Sequence, residues 1–121
     1  MEALIVDNEI DICFLLTGIL RKKNLQTSFV NTIHEALEVL NRKDPFILFL
    51  DNNLPDGFGV DIIKQIKNSH PSIKIIMITA DDTFTNKHKA ITAGADFFIE
   101  KPFSRDAINK VVDATMEEVC S

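Results

Sequence analysis

The sequence predicts an α/β fold in which five parallel strands form one sheet with helices on both faces. Three features predict it. Short apolar runs recur at residues 3–6, 47–50 and 73–78, and each ends abruptly on polar residues. Between them the apolar residues fall three and four apart, the spacing of an amphipathic helix. The connections are short, so strand and helix alternate, and right-handed crossovers then place helices on both sides of a parallel sheet. At this length a flavodoxin-like strand order, 2-1-3-4-5, is expected.

The elements follow in order. Residues 3–6 (ALIV) read as a first strand ending on Asp7, Asn8 and Glu9. Ile12, Leu15, Leu16, Ile19 and Leu20 mark a helix over 10–23, whose basic end Arg21-Lys22-Lys23 suits the negative end of a helix dipole. Residues 25–30 are a partly polar strand suited to an edge position. Thr32 followed by Glu35 is a capping-box signature for a second helix over 32–42. Residues 47–50 (ILFL) are too short and too uniformly apolar for an amphipathic helix and read as a strand buried on both faces, with Asp51 at its carboxyl end. The turn LPDGFG leads into a third helix carrying Val60, Ile62, Ile63 and Ile66, closed by Pro71. Residues 73–78 (IKIIMI) are the fourth strand, ending on Thr79, Ala80, Asp81 and Asp82. Residues 83–92 have few apolar positions and read as a marginal helix with a thin buried stripe, a candidate moving part. Residues 96–99 are the fifth strand, followed by Lys101 and Pro102. Ser104 caps a last helix whose shared face holds Ile108, Val111, Val112, Thr115 and Val119.

Composition bounds the function. A chain of 121 residues is expected to be a single domain, 1–121, able to bury roughly two thirds of its unfolded surface. Net charge −5 leaves no basic stripe for phosphate backbones, which argues against direct nucleic-acid binding. Cys13 and Cys120 form neither a disulfide framework nor a metal spacing, so a reducing, cytoplasmic setting is expected. No secretory leader is expected, and no apolar run approaches membrane-spanning length.

In an open α/β sheet ligands sit beyond the carboxyl ends of the strands, at the point where the strand order reverses. That geometry gathers Asp7, Asn8, Asp51, Thr79 and Lys101 in one cleft from four separate parts of the chain. Taken alone each has a plainer role: an Asx-turn residue for Asp51, a helix-start acid for Asp7, a strand-end turn residue for Thr79, a solvated charge for Lys101. Together they make a chemistry. Two carboxylates and an amide favour a hard divalent cation such as Mg²⁺. A lysine and a threonine facing an aspartate are the groups an acyl phosphate on that aspartate needs.

The four stretches LIVDNE, LFLDNNLPDGFG, IMITA and GADFFIEKPF, in this order and spacing, resemble the receiver domain of two-component response regulators from end to end. The resemblance implies Asp51 as phosphoacceptor, with Thr79 and Lys101 on the phosphoryl group. It implies Mg²⁺ held by Asp7, Asn8, Asp51 and the backbone carbonyl of Asn53, and a cis peptide between Lys101 and Pro102. Asn53 and Asp81 would border the path of the water that removes the phosphoryl group. The donor would be a histidine kinase or histidine phosphotransfer protein. Thr79 and Phe98 would relay the change to the surface of helix 4, strand 5 and helix 5, read by a downstream protein or by an effector domain outside the chain. A homodimer through that surface is left open. Such a protein catalyses only its own phosphorylation and dephosphorylation and is not expected to be a metabolic enzyme.

The pattern departs from the family at three positions. Asn8 stands where a second acid is usual, Phe98 lacks the hydroxyl of a tyrosine, and Glu100 precedes Lys101 where an apolar residue is usual. Glu9 would compensate for Asn8 only if the first turn of the helix lets it reach the cleft. Two other readings remain at this stage: a pseudo-receiver that is never phosphorylated, and a phosphohydrolase of the haloacid dehalogenase type.

Overall fold

The computed structural model describes residues 1–80 and 84–120; for 84–86 and 118–120 only the backbone is described. The chain runs β1 Glu2–Val6, α1 Ile10–Arg21, β2 Gln26–Val30, α2 Ile33–Arg42, β3 Ile47–Asp51, a 3₁₀ turn Gly59–Ile62, α3 Ile63–Ser69, β4 Lys74–Thr79, α4 Phe84–Ala93, β5 Phe97–Glu100 and α5 Arg105–Cys120. The five strands pair in parallel in the order β2-β1-β3-β4-β5, the flavodoxin-like order expected from the alternation. Between β3 and the 3₁₀ turn, Asn53–Leu54 and Gly57–Phe58 form a small antiparallel hairpin.

Successive side chains of a strand point to opposite faces, and this splits the core in two. Leu4, Val6, Leu48, Leu50, Ile75 and Met77 pack on one face with Ala36, Leu40, Ile63, Ile66 and Ala90. Ala3, Ile5, Ile47, Phe49, Ile76 and Ile78 pack on the other with Cys13, Leu16, Leu20, Ile108 and Val112. All of β3 is buried, as a strand covered on both sides must be, whereas β2 is half-buried at the sheet edge.

Helix ends follow their caps. Thr32 Oγ1 accepts from the Glu35 N–H at 3.1 Å, while the Glu35 carboxylate turns back to the Thr32 hydroxyl at 3.0 Å, so Thr32 is the cap and α2 begins at Ile33. Ser104 Oγ accepts from the Ala107 N–H at 3.1 Å and starts α5, in which Ile108, Val112 and Thr115 are fully buried. The side chain of Val119 lies outside the description. In α1 the buried line is Cys13, Leu16, Ile19 and Leu20. Leu15, expected on that line, is 37% exposed because it is one helical step, about 100°, away from Leu16. In α4 Ala90 is fully buried while Ile91 is exposed, the thin stripe its composition implied.

Candidate functional site

Register brings the strand ends to one level. Val6 stands opposite Leu50, Asp51 opposite Ile78, and Thr79 opposite Glu100. The Lys101 N–H donates to the Thr79 carbonyl at 2.9 Å, which carries the ladder one residue past β5 and turns the lysine over the rim. Asp7, Asp51 and Thr79 are buried there, at 2%, 5% and 1% exposure. The Lys101 ammonium lies 2.9 Å from Asp7 Oδ2, 2.9 Å from Glu9 Oε2 and 3.5 Å from Asp51 Oδ2. Asp7 Oδ1 accepts the Glu9 N–H at 2.8 Å, so both oxygens of that carboxylate are engaged. Asn8, Glu9, Asp51, Asn53, Ala80 and Lys101 line an open cleft of about 140 Å³. At about 30 Å³ per water, it has room for a small hydrated ion or a phosphoryl group. The Lys101–Pro102 peptide is cis.

The electrostatics of the cleft are unbalanced. Burial, and then the Asp7 carboxylate, push the Asp51 carboxyl up to about 6, against the opposing pull of Lys101 and a backbone hydrogen bond from Asn53. Burial alone would lower the Lys101 pKa, but hydrogen bonds to Glu9 and Asp7 and the charges of Asp51 and Asp7 outweigh it and the net shift is upward. Beneath the cleft the thiol of Cys13, fully buried, is pushed up to about 11 by burial and then by Asp7, so it stays a protonated core group.

Three carboxylates face one ammonium, which leaves a formal charge of −2. No group of three or more His, Cys, Asp and Glu stands at metal-holding spacing among the described residues. The donors are nonetheless carboxylate, amide and carbonyl oxygens, and both the donor set and the excess charge suit a divalent cation such as Mg²⁺.

The turn after Asp51 is built to hold that residue still. The Gly59 N–H donates to the Asn52 carbonyl at 2.8 Å, and the buried Asn52 side chain accepts the Val60 N–H at 3.0 Å. A Cβ at Gly59 would collide with the Asp51 carbonyl oxygen. Asp56 leaves the turn and accepts the Ile33 and His34 N–H groups of α2 at 2.8 and 2.9 Å. Asn52, Asp56 and the reach of Glu9 were not fixed by sequence reasoning. The one available signal was the Asn-Asn-x-Pro-Asp-Gly composition of the turn, which marks Asx side chains bonding to nearby backbone.

Phe98 is half-buried against the core beneath α2, α3 and α4, and borders a groove with Pro102, Phe103, Ala107 and Val111. Glu100 is exposed, and the carboxylate that meets Lys101 besides those of Asp7 and Asp51 is that of Glu9 instead. Asp81 lies outside the described residues. Among the described residues no helix is long and apolar enough to cross a membrane.

Comparison with known proteins gives a consistent answer. The family model for the response regulator receiver domain matches residues 3–113. Response regulator protein PilR of Pseudomonas aeruginosa is 39% identical over 112 residues, covering 92% of this chain and 25% of PilR. The chain thus spans a quarter of that relative's length. A two-component response regulator from Clostridium difficile superposes with a TM-score of 0.95 at 25% identity, covering 100% of this chain and 99% of the other. NtrX from Brucella abortus, solved with ADP, gives 0.88 at 33% identity over 97% of this chain and 27% of NtrX.

Proposed function

This chain belongs to the family of response regulator receiver domains of two-component signalling, and from that premise we propose that residues 1–121 form one receiver domain, cytoplasmic, that switches when Asp51 takes a phosphoryl group from a histidine kinase or histidine phosphotransfer protein. The observation that carries this reading is the buried Asp51 carboxylate at a strand end, 3.5 Å from the Lys101 ammonium and beside Asp7.

With its pKa near 6, Asp51 is mainly ionised at neutral pH and able to act as nucleophile. Its Oδ attacks phosphorus, the P–O bond forms, and the P–N bond to the donor imidazole breaks with its electron pair returning to the ring. Lys101 offsets charge on the phosphoryl oxygens and Thr79 donates its hydroxyl to one of them. Asp7, Asn8, Asp51 and the Asn53 carbonyl are the residues to hold Mg²⁺, which would add charge neutralisation at the same oxygens. Hydrolysis reverses the state: water attacks phosphorus beside Asn53 and Asp81, and phosphate leaves with the Asp51 carboxylate restored. Recruitment of Thr79 and Lys101 draws the loop after β4 inward, Phe98 packs after it, and the face of α4, β5 and α5 changes its affinity for an effector, a second copy, or a domain outside this chain.

The placement of Asp51 after the third strand, within a receiver-family match, favours this reading over a haloacid dehalogenase hydrolase. Incubation with a small acyl phosphate and Mg²⁺ is expected to add one phosphoryl group to the wild type by intact mass, and none to Asp51→Asn. Absence of labelling in the wild type would instead support a pseudo-receiver, for which Asn8 is the favouring feature.

A further inference from the structure

Glu9 follows Asn8 directly, and its backbone is fixed. It occupies the cap position of α1, donates its N–H to Asp7 Oδ1 at 2.8 Å and accepts from the Ile12 and Cys13 N–H groups at 3.1 and 3.2 Å. The side chain is 61% exposed, yet its carboxylate is drawn to the 11% exposed Lys101 ammonium at 2.9 Å. An exposed carboxylate gains little from an ion pair, so the pair itself gives the fold little. Among the described residues lining the cleft, Glu9 and Asp51 are the ones that carry carboxylates, while Asn8 presents an uncharged amide.

The charge count shows what Glu9 adds. With Asp7 and Asp51 alone against Lys101, the cleft would carry a formal −1; with Glu9 it carries −2, which a divalent cation balances. Glutamate also has one methylene more than aspartate, which suits a carboxylate reaching in from one position further along the turn.

We propose that Glu9 supplies to the metal site the carboxylate that Asn8 lacks, resting on Lys101 without the cation and turning to the cation when it binds. The assignment rests on the reading of this cleft as an Mg²⁺-dependent acceptor site. It also gives the cation a second effect, because Glu9 then releases Lys101, leaving the ammonium for the phosphoryl group.

The test is calorimetric titration with MgCl₂ at neutral pH of wild type, Glu9→Gln, Asn8→Asp, the double variant and Asp51→Asn, each first checked for an intact fold by circular dichroism. Glu9→Gln is expected to weaken Mg²⁺ binding about 10- to 100-fold, the usual loss for a supporting group around a metal. Asn8→Asp is expected to tighten binding strongly in the Glu9→Gln background and only slightly in the wild type. Wild-type affinity in Glu9→Gln together with lost binding in Asp51→Asn would overturn the role of Glu9 and leave the acceptor site standing. The same gain from Asn8→Asp in both backgrounds would overturn it too, because the two positions would then act independently. Wild-type affinity in Asp51→Asn would overturn the acceptor-site reading itself, and the proposal with it.

Discussion

At neutral pH Asp51 carries a charge that folding disfavours. Its carboxyl has a higher pKa in the folded chain, about 6 against an ordinary 3.8, chiefly through burial and then through Asp7. The stability tied to its proton is therefore fully present below about pH 4 and is lost as pH rises through 6, at most about 3 kcal/mol. Asp51→Asn removes the charge and keeps the shape. In metal-free buffer it should raise the unfolding free energy by about 1–3 kcal/mol at pH 7 and by much less at pH 4, measured by urea denaturation. An equal gain at both values would mean that the charge is not the cause. Asp7, Asp51, Thr79 and Lys101 were legible in the sequence because each ends an apolar run or a strand, and the sheet order then brings them together. The pairing of Glu9 with Lys101 was not, since Glu9 lies 92 residues away and its rotamer depends on what the fold sets opposite it.

Elements differ in how far sequence fixes them. Parallel strands buried on both faces announce themselves as apolar runs, and capped helices by their Ser or Thr, so β3, α2 and α5 were found within a residue or two. The hairpin at Asn53–Leu54 and Gly57–Phe58 has two residues a side, too few for any alternation to register, and the 3₁₀ turn keeps the apolar spacing of the helix it opens. Two glycines show how placement sets the sign of one substitution. Gly18 is exposed within α1 with nothing within 4 Å of an added Cβ, so Gly18→Ala should stabilise by about 0.5–1 kcal/mol. Gly59→Ala meets the Asp51 carbonyl and, at 3.0 Å, Leu50 Cγ. Neither can retreat from a packed strand, and a loss of about 1–3 kcal/mol is expected, with weaker phosphoryl labelling of Asp51. Thermal melts of the two variants should move in opposite directions.

Across the whole molecule the sheet divides two cores and leaves one rim for chemistry, and long-range polar ties fasten the helices at both ends of the strands, the Lys67 tie at the rim opposite the chemistry and the Asp56 tie beside it. Lys67 of α3 donates to the Ile73 carbonyl at 2.7 Å and to Asp96 at 2.8 Å, while Asp96 accepts the Ile75 N–H at 2.8 Å, tying α3 to β4 and to the approach of β5. The Asp56 link to α2 ties the acceptor turn to the opposite end of the sheet order. The first amides of a helix have no partner within it and ordinarily exchange with solvent hydrogen at once. Those of Ile33 and His34 are held by Asp56, so they should exchange slowly while the acceptor turn is formed and quickly in Asp56→Ala. Backbone hydrogen bonds from His34 and then Ile33 lower the Asp56 pKa. Its contribution is accordingly present above the ordinary aspartate range and lost as pH falls through that depressed value, so the protection should persist into mild acid before it fades. Two amides of a helix remote in sequence thus serve as a built-in gauge of whether the acceptor turn is open or closed, readable without any label on the site itself.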